Sequence, residues 1–376
     1  MPNVDGEAIF IRLYDVGSSI DLERVLSVFP GIQDKKFMRS KDTPEYIHFP
    51  RPLRLDLTYD KKTNSFNSEN ILLRIKMYKD GVISLAARLK FNNFPLEQLH
   101  VIRKTEFNLS DGLFTIDNWL GLQFDRFYDL VKNFILRYSY PSEQADLEEF
   151  EQENYVCFCI TNNLNPLEFV EQNKDYIATL LMGESPELNL DPSQIQNTLK
   201  NRFSFMNNDL VIFDSDRAFI IDPNLDYDDV LLIVELANYQ LLKLRTLDTF
   251  VDETLNIAEN DIRVLFLKRP KFWRKLNKKL GQLFRFKFDM VFILENIENV
   301  SKITGDFYLA QLYEHLSNLF DLKKWIDNIH HRLSILGDIY ITAKTSANER
   351  IILIVEILLG VIFTLEFIFI IIDLYT

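Results

Sequence analysis

The chain of 376 residues contains only two cysteines, Cys157 and Cys159, so no disulfide framework holds it and a reducing compartment is expected. Glycine (11) and proline (12) are scarce, which excludes collagen-like and linker-rich architectures. There is no Gly-rich phosphate loop and no Gly-x-Ser-x-Gly elbow. The histidines His48, His100, His315, His330 and His331 form no His-x-x-x-His pair and join no acidic cluster at metal-ligand spacing. His330-His331 read as a surface pair. Cys157-x-Cys159, on a strand, places both thiols on one face and reads as core packing. These absences leave no catalytic residue, no cofactor and no metal site to expect, and the chain reads as non-enzymatic. The N-terminal MPNVDGEAIFIRLYDVG lacks a basic stretch followed by an apolar one, so neither a signal nor a transit peptide is expected.

What is present is an ordinary globular composition, 47% hydrophobic and 26% charged, rich in Phe (31) and Tyr (15). The net charge of −13 argues against nucleic acid as the main partner when taken as a mean. Its distribution changes that. Arg263, Lys268, Arg269, Lys271, Arg274, Lys275, Lys278, Lys279, Arg285 and Lys287 put ten positive charges and no acidic residue into one segment, leaving the rest of the chain at −23. Phe266, Phe272, Trp273, Phe284 and Phe286 interleave. Three partners suit such a segment: RNA phosphates with stacked bases, anionic lipid headgroups, or the acidic surface of the protein itself or of a sister subunit.

Residues 351–372, IILIVEILLGVIFTLEFIFIII, contain no Lys, Arg, Asn, Gln or Pro. As a helix they would extend roughly 33 Å, about one hydrocarbon core. A single C-terminal membrane span at 351–373 is therefore expected, tail-anchored and inserted after translation. Arg332, Lys344 and Arg350 precede it and no Lys or Arg follows, which places the body on the cytoplasmic or matrix side. Glu356, Gly360 and Thr364 share one helical stripe, the kind of small and polar surface through which membrane helices associate. Glu366 lies near the middle of the span, where it is expected to be neutral or to face a partner helix.

The rest reads as α+β, with an N-terminal α/β body followed by long antiparallel helices. Ala8–Tyr14 is strand-like, and Asp21 is an N-cap for a helix to Phe29. Ile71–Tyr78 and Val82–Phe91 flank Lys79-Asp80-Gly81 as a hairpin. Pro95–Arg103 has a helical pattern. A comparable order recurs in Tyr155–Ile160, Pro166–Met182, the hairpin around Asn207-Asn208-Asp209, and Ala218–Ile221. A duplicated ferredoxin-like body is one reading of it. The expected organisation is an α/β subdomain at 1–142, a solvated acidic linker at 143–154, a second α/β subdomain at 155–225 and a helical stalk at 226–350. In the stalk, Val230, Leu231, Val234, Ala237, Leu241 and Leu244 form one face. A second helix covers 272–299. A third starts near Asp306 and continues into the span with coiled-coil-like spacing, its bends expected at Gly337 and Thr345-Ser346.

Ile303-Thr304-Gly305-Asp306-Phe307-Tyr308, Leu312-Tyr313-Glu314, Lys323-Lys324, Arg332-Leu333 and Val355-Glu356 before an apolar tail resemble, in that order, the C-terminal part of the required-for-meiotic-nuclear-division family. That family has Pro where Gly305 stands, Trp where Leu309 stands and a basic residue where Ile354 stands. The resemblance implies a membrane-attached protein without catalytic residues; mitochondrial members of that family support organellar translation, and other members face the cytosol. The expected function is a membrane-anchored scaffold or assembly factor that forms homo-oligomers through its C-terminal helices and holds protein partners. The alternatives are an RNA- or ribosome-binding membrane tether using the basic segment, and a channel or transport subunit.

Overall fold

The computed structural model describes residues 2–29, 33–34, 52–60, 70–109, 112–137, 150–162, 165–185, 187–267, 281, 284–288, 290–291, 294 and 307–375. They form two compact units: Met1–Thr246 with Asn296–Trp325, and Leu247–Glu295 with Ile326–Thr376.

The first unit is organised by β1 (Asn3–Asp15), whose side chains from Glu7 onward are buried on both faces. Such a strand cannot lie at a sheet edge; it needs a neighbour on each side and a covering layer on each face. It pairs antiparallel with β6 (Val82–Pro95) on one side and with β10 (Gln152–Ile160) on the other. Beyond β6 follow β5 (Asn70–Tyr78), β4 (Leu53–Asp60) and β3 (Gln33–Asp34). Beyond β10 follow β13 (Arg217–Ile221), parallel to it, then β12 (Leu210–Phe213) and β11 (Arg202–Phe203). Among the described residues the result is one nine-stranded sheet and two small ribbons, β2 (Ser19–Ile20) with β9 (Ile135–Leu136) and β7 (Glu106–Leu109) with β8 (Gly112–Thr115). Strands from 1–142 and from 155–225 thus share a sheet, so the duplicated ferredoxin-like body does not form as two separate sheets.

One face of the sheet carries Phe10, Leu73, Leu85, Phe158 and Phe219, packed with Trp119, Phe124 and Ile177 in the main core. The covering helices are α1 (Leu22–Val28), a 3₁₀ segment (Leu96–Lys104), α2 (Ile116–Val131), α3 (Pro166–Gln172), α4 (Lys174–Met182) and α5 (Pro192–Thr198). Full burial of each such side chain stabilises by about 1.5–3 kcal/mol. Their ends follow local chemistry: Asp21 caps α1 through Arg24 N at 3.1 Å, and α3 and α5 open with proline. In the β5–β6 turn, Gly81 has φ +81°, and a Cβ there would collide with the Gly17 carbonyl.

The other face is covered by the first turns of α6 (Asp228–Leu267) and by α7 (Phe307–Leu319). The predicted stripe from Val230 to Leu244 is buried. Tyr313 of α7 reaches Gln240 of α6 at 2.5 Å, Phe320 meets Tyr155 of β10, and His315 lies between Phe203 and Phe213. The stalk expected from residue 226 therefore begins as a layer of the α/β body.

Other expectations shift in detail. Leu96–Lys104 winds as a 3₁₀ rather than an α-helix. The linker expected at 143–154 overlaps β10, where Glu153 is buried. The stalk breaks at Phe320-Asp321, with Asp321 at φ +53°, while α8 (Leu322–Tyr375) runs through Gly337 and Thr345-Ser346 without interruption. Most of the helix expected at 272–299 lies outside the described residues.

In the second unit Arg332 of α8 ion-pairs with Asp248 and Asp252, one turn apart on α6. At the far end of α8, the large apolar side chains from Ile352 to Ile368 are exposed on every side of the helix. Among the described residues no helix is long and apolar enough to cross a membrane; the described side chains there form a run of 17, inside an apolar sequence of 22.

Candidate functional site

The interface between α6 and the sheet is polar where an ordinary helix-on-sheet contact would be greasy. Alternation along the strands sends Glu7 and Asp15 of β1, Lys76 and Tyr78 of β5, and Ser84 and Arg88 of β6 to the same face. Glu235 and Lys243, two turns apart on α6, meet them. Glu235 accepts from Lys76 and from Tyr78 Oη at 2.9 Å. Lys243 Nζ lies 2.9 Å from Asp15, with both side chains almost wholly excluded from solvent. Tyr239 donates to Asp80 at 2.9 Å. Burial would raise the Glu235 carboxyl, but the Lys76 ammonium and three hydrogen bonds outweigh it and hold the group below the usual range.

The row ends at Glu7, which is clamped from two elements. Arg88 donates to it through Nε at 3.1 and 3.2 Å and through Nη2 at 2.5 Å, and Tyr227 Oη donates at 2.6 Å. Arg88 also contacts Asp228, the first residue of α6, at 3.2 Å. Burial alone would lower the Arg88 pKa; the hydrogen-bonded Glu7 carboxylate reverses this and raises it. Burial, reinforced by nearby Cys159 and Glu7, pushes the Tyr227 phenol up.

Among the described residues, nothing covers the sheet beyond the start of α6 at Asp228. An open cleft of about 740 Å³ lies there, and its lining includes Glu7, Thr58, Arg88, Lys90, Tyr227 and Asp228. Its two carboxylates, Glu7 and Asp228, are balanced by Arg88 together with exposed Lys90. Glu7, engaged by the Arg88 and Tyr227 donors, is not positioned as a base.

At the opposite end of the same interface, Glu153 is pushed up to about 7, mainly by burial. The Arg245 guanidinium is 2.7 Å away but outside hydrogen-bonding direction, so it offsets only part of that effect. Cys157 and Cys159 are both wholly buried on this face, and burial raises both thiols far out of the reactive range. Among the described residues no group of three or more His, Cys, Asp or Glu is placed to hold a metal.

Of the residues singled out in sequence, Arg285 is exposed and Lys287 half-buried on a helical stretch, and Arg263 falls within α6. Lys268, Arg269, Lys271, Arg274, Lys275, Lys278 and Lys279 lie outside the described residues. Glu356, Gly360, Thr364 and Glu366 all lie on α8 and are exposed. Thr364 Oγ1 donates to the Gly360 carbonyl at 2.6 Å, and none of the described residues comes within 4 Å of the position a Gly360 Cβ would take. Glu366 stands about 80° around the helix from the stripe of the other three. The interlayer ion pairs were not anticipated. Their one sequence signal is a charge inside an apolar strand or helix face, as at Glu7, Asp15, Glu235 and Lys243; the partners are far apart in the chain.

The comparisons with known proteins concern the same body. A protein of Methanocaldococcus jannaschii described as "Uncharacterized protein MJ0711" is 29% identical over 197 residues, covering 52% of this chain and 59% of the relative. The chain thus spans about three-fifths of that relative's length. No solved structure matches. The family described as "Uncharacterized protein MJ0711, N-terminal domain" matches residues 5–228, from the start of β1 to the first residue of α6, and the chain belongs to that family.

Proposed function

We propose that this chain is a membrane-anchored scaffold or assembly factor without catalytic turnover, self-associating through its C-terminal helices, and a distant member of the required-for-meiotic-nuclear-division family. One observation carries the reading. Thirteen large apolar side chains between Ile352 and Ile368 are exposed around the whole circumference of α8. A surface of that size is not maintained in water; it is covered by lipid or by protein. The apolar sequence extends beyond these residues in both directions to 351–372, about the length that spans a bilayer. Lys344 and Arg350 on its N-terminal side favour a body on the cytoplasmic or matrix side.

Within the span, Glu356, Gly360 and Thr364 supply the stripe for helix association, Gly360 allowing backbones to approach closely. The body offers ion pairs that lock a sheet to a helix and a cleft with no activated nucleophile among its described residues. Rigid packing of this kind suits a platform for protein partners. The test is flotation of the full chain with liposomes, followed by an alkaline wash and mass measurement in mild detergent. The reading expects a washed, floating protein of oligomeric mass. A monodisperse particle in buffer without detergent defeats the membrane anchor; a monomeric mass in detergent defeats self-association.

A further inference from the structure

Among the described residues the β11–β12 hairpin is the last element at its end of the sheet. Its two strands pair over two positions, Arg202 with Ile212 and Phe203 with Val211. So short a ladder contributes little by itself. Aromatic contacts with α7 add to it. The Phe205 ring lies 5.4 Å from Tyr308. Further along α7, the half-buried His315 imidazole lies 5.0 Å from Phe203 of β11 and 6.1 Å from Phe213 of β12, whose own rings are 6.2 Å apart. One imidazole thus touches both strands of the hairpin.

His315 Nε2 is excluded from solvent and has no hydrogen-bond partner among the described residues. In a neutral ring with its proton on Nδ1, that position is a bare lone pair, the less costly kind of orphan. A protonated ring places an N–H donor there, facing phenyl rings and no acceptor. The charged and titratable groups around it are committed elsewhere. On β11, Arg202 donates to the Leu199 carbonyl and to Glu171. In the turn, Asp209 accepts from the amides of Phe205 and Met206. After β12, Asp214 accepts from the Ser215 amide. On α7 itself, Tyr313 donates to Gln240 of α6, and Glu314 is exposed. On α6, Glu235 and Lys243 are paired with the sheet.

We propose that His315 is an acid-sensitive latch, which holds the β11–β12 hairpin against α7 while neutral and releases it on taking a proton from solvent. Burial holds the imidazole below its ordinary 6.5 in the docked state. The docked hairpin therefore favours the neutral ring. That contribution is complete above 6.5 and is lost as pH falls through the lowered value. The released ring finds water for both nitrogens. The rest of α7 stays in place, because buried Leu312 and Leu316 and the Tyr313–Gln240 bond do not titrate in this range.

The test uses full-length protein in mild detergent with 4-fluorophenylalanine at position 203, titrated from about pH 8 to about pH 5, across the ordinary range of histidine. The fluorine resonance should shift with a midpoint below 6.5. Over the same range, amide hydrogen exchange in peptides holding Arg202–Phe213, corrected for the pH dependence of the chemical step, should lose protection. His315→Phe keeps a ring between Phe203 and Phe213 and cannot titrate, so both signals should stay flat. His315→Gln, polar and equally unable to titrate, gives the same check should a third phenyl ring pack differently. A fluorine signal that does not move in the parent, or that moves alike in both variants, overturns the proposal. So does hairpin protection that is unchanged or rises in acid, since a rise would mean that the imidazolium grips the phenyl faces as a cation.

Discussion

Replacing Lys243 by methionine should destabilise the protein far more than replacing both Lys243 and Asp15. The two groups are 2.9 Å apart, with side chains 2% and 0% exposed. At an effective dielectric constant of about 20, two unit charges at that separation attract by about 6 kcal/mol. Withdrawing each ion from water costs several kcal/mol, so the intact pair is close to break-even. Lys243→Met removes the attraction and leaves the Asp15 carboxylate buried without its cation. The expected cost is about 3–5 kcal/mol, a loss of roughly a hundred- to several-thousand-fold in the folding equilibrium. Lys243→Met with Asp15→Asn removes both charges and should cost no more than about 2 kcal/mol, the amide still accepting from the Gly17 N–H that Asp15 meets at 3.3 Å. Equilibrium urea unfolding of the full chain in mild detergent measures this, using tryptophan fluorescence to which fully buried Trp119 contributes. A single variant within 1 kcal/mol of the parent, or a double variant as unstable as the two single ones added, would refute the reasoning.

Three further outcomes are expected. The Glu153 carboxyl is raised to about 7 in the folded protein, above its ordinary 4.5, so folding favours its protonated form. That contribution is complete below pH 4.5 and is lost as pH rises through 7; Glu153→Gln should match the parent at pH 4 and exceed it by about 3 kcal/mol at pH 8 in urea unfolding. Gly81→Ala should cost at least about 2 kcal/mol by the same assay, because the positive φ and the Gly17 carbonyl both oppose a Cβ, and a stable variant would mean the turn is misassigned. Gly360→Leu should lower the oligomeric mass in detergent, since among the described residues nothing lies within 4 Å of a Cβ there; an unchanged mass rejects the stripe as an association surface.

Elements whose signals are local were legible in the sequence. The Lys79-Asp80-Gly81 turn forms the β5–β6 hairpin, Asp21 caps α1, and the apolar stripe from Val230 to Leu244 is buried along α6. Boundaries were less legible where a charge is tolerated by its surroundings. Glu153 sits in an acidic run that reads as solvated, yet it is in β10 with Arg245 close by. The helix break likewise fell at Asp321, whose short side chain tolerates a left-handed backbone, rather than at Gly337.

By itself the sequence determined the α+β class, the apolar C-terminal run, the packing of both thiols in the core and the uneven distribution of charge, because each depends on neighbouring residues or on composition. Only the tertiary structure decided that one sheet joins both halves of the body and that α6 is bound to that sheet by buried ion pairs. Those features depend on residues such as Glu7 and Tyr227, separated by 220 positions. A one-dimensional pattern records that a charge is present. Whether it is solvated, paired or facing a partner depends on what the fold places within a few ångströms of it.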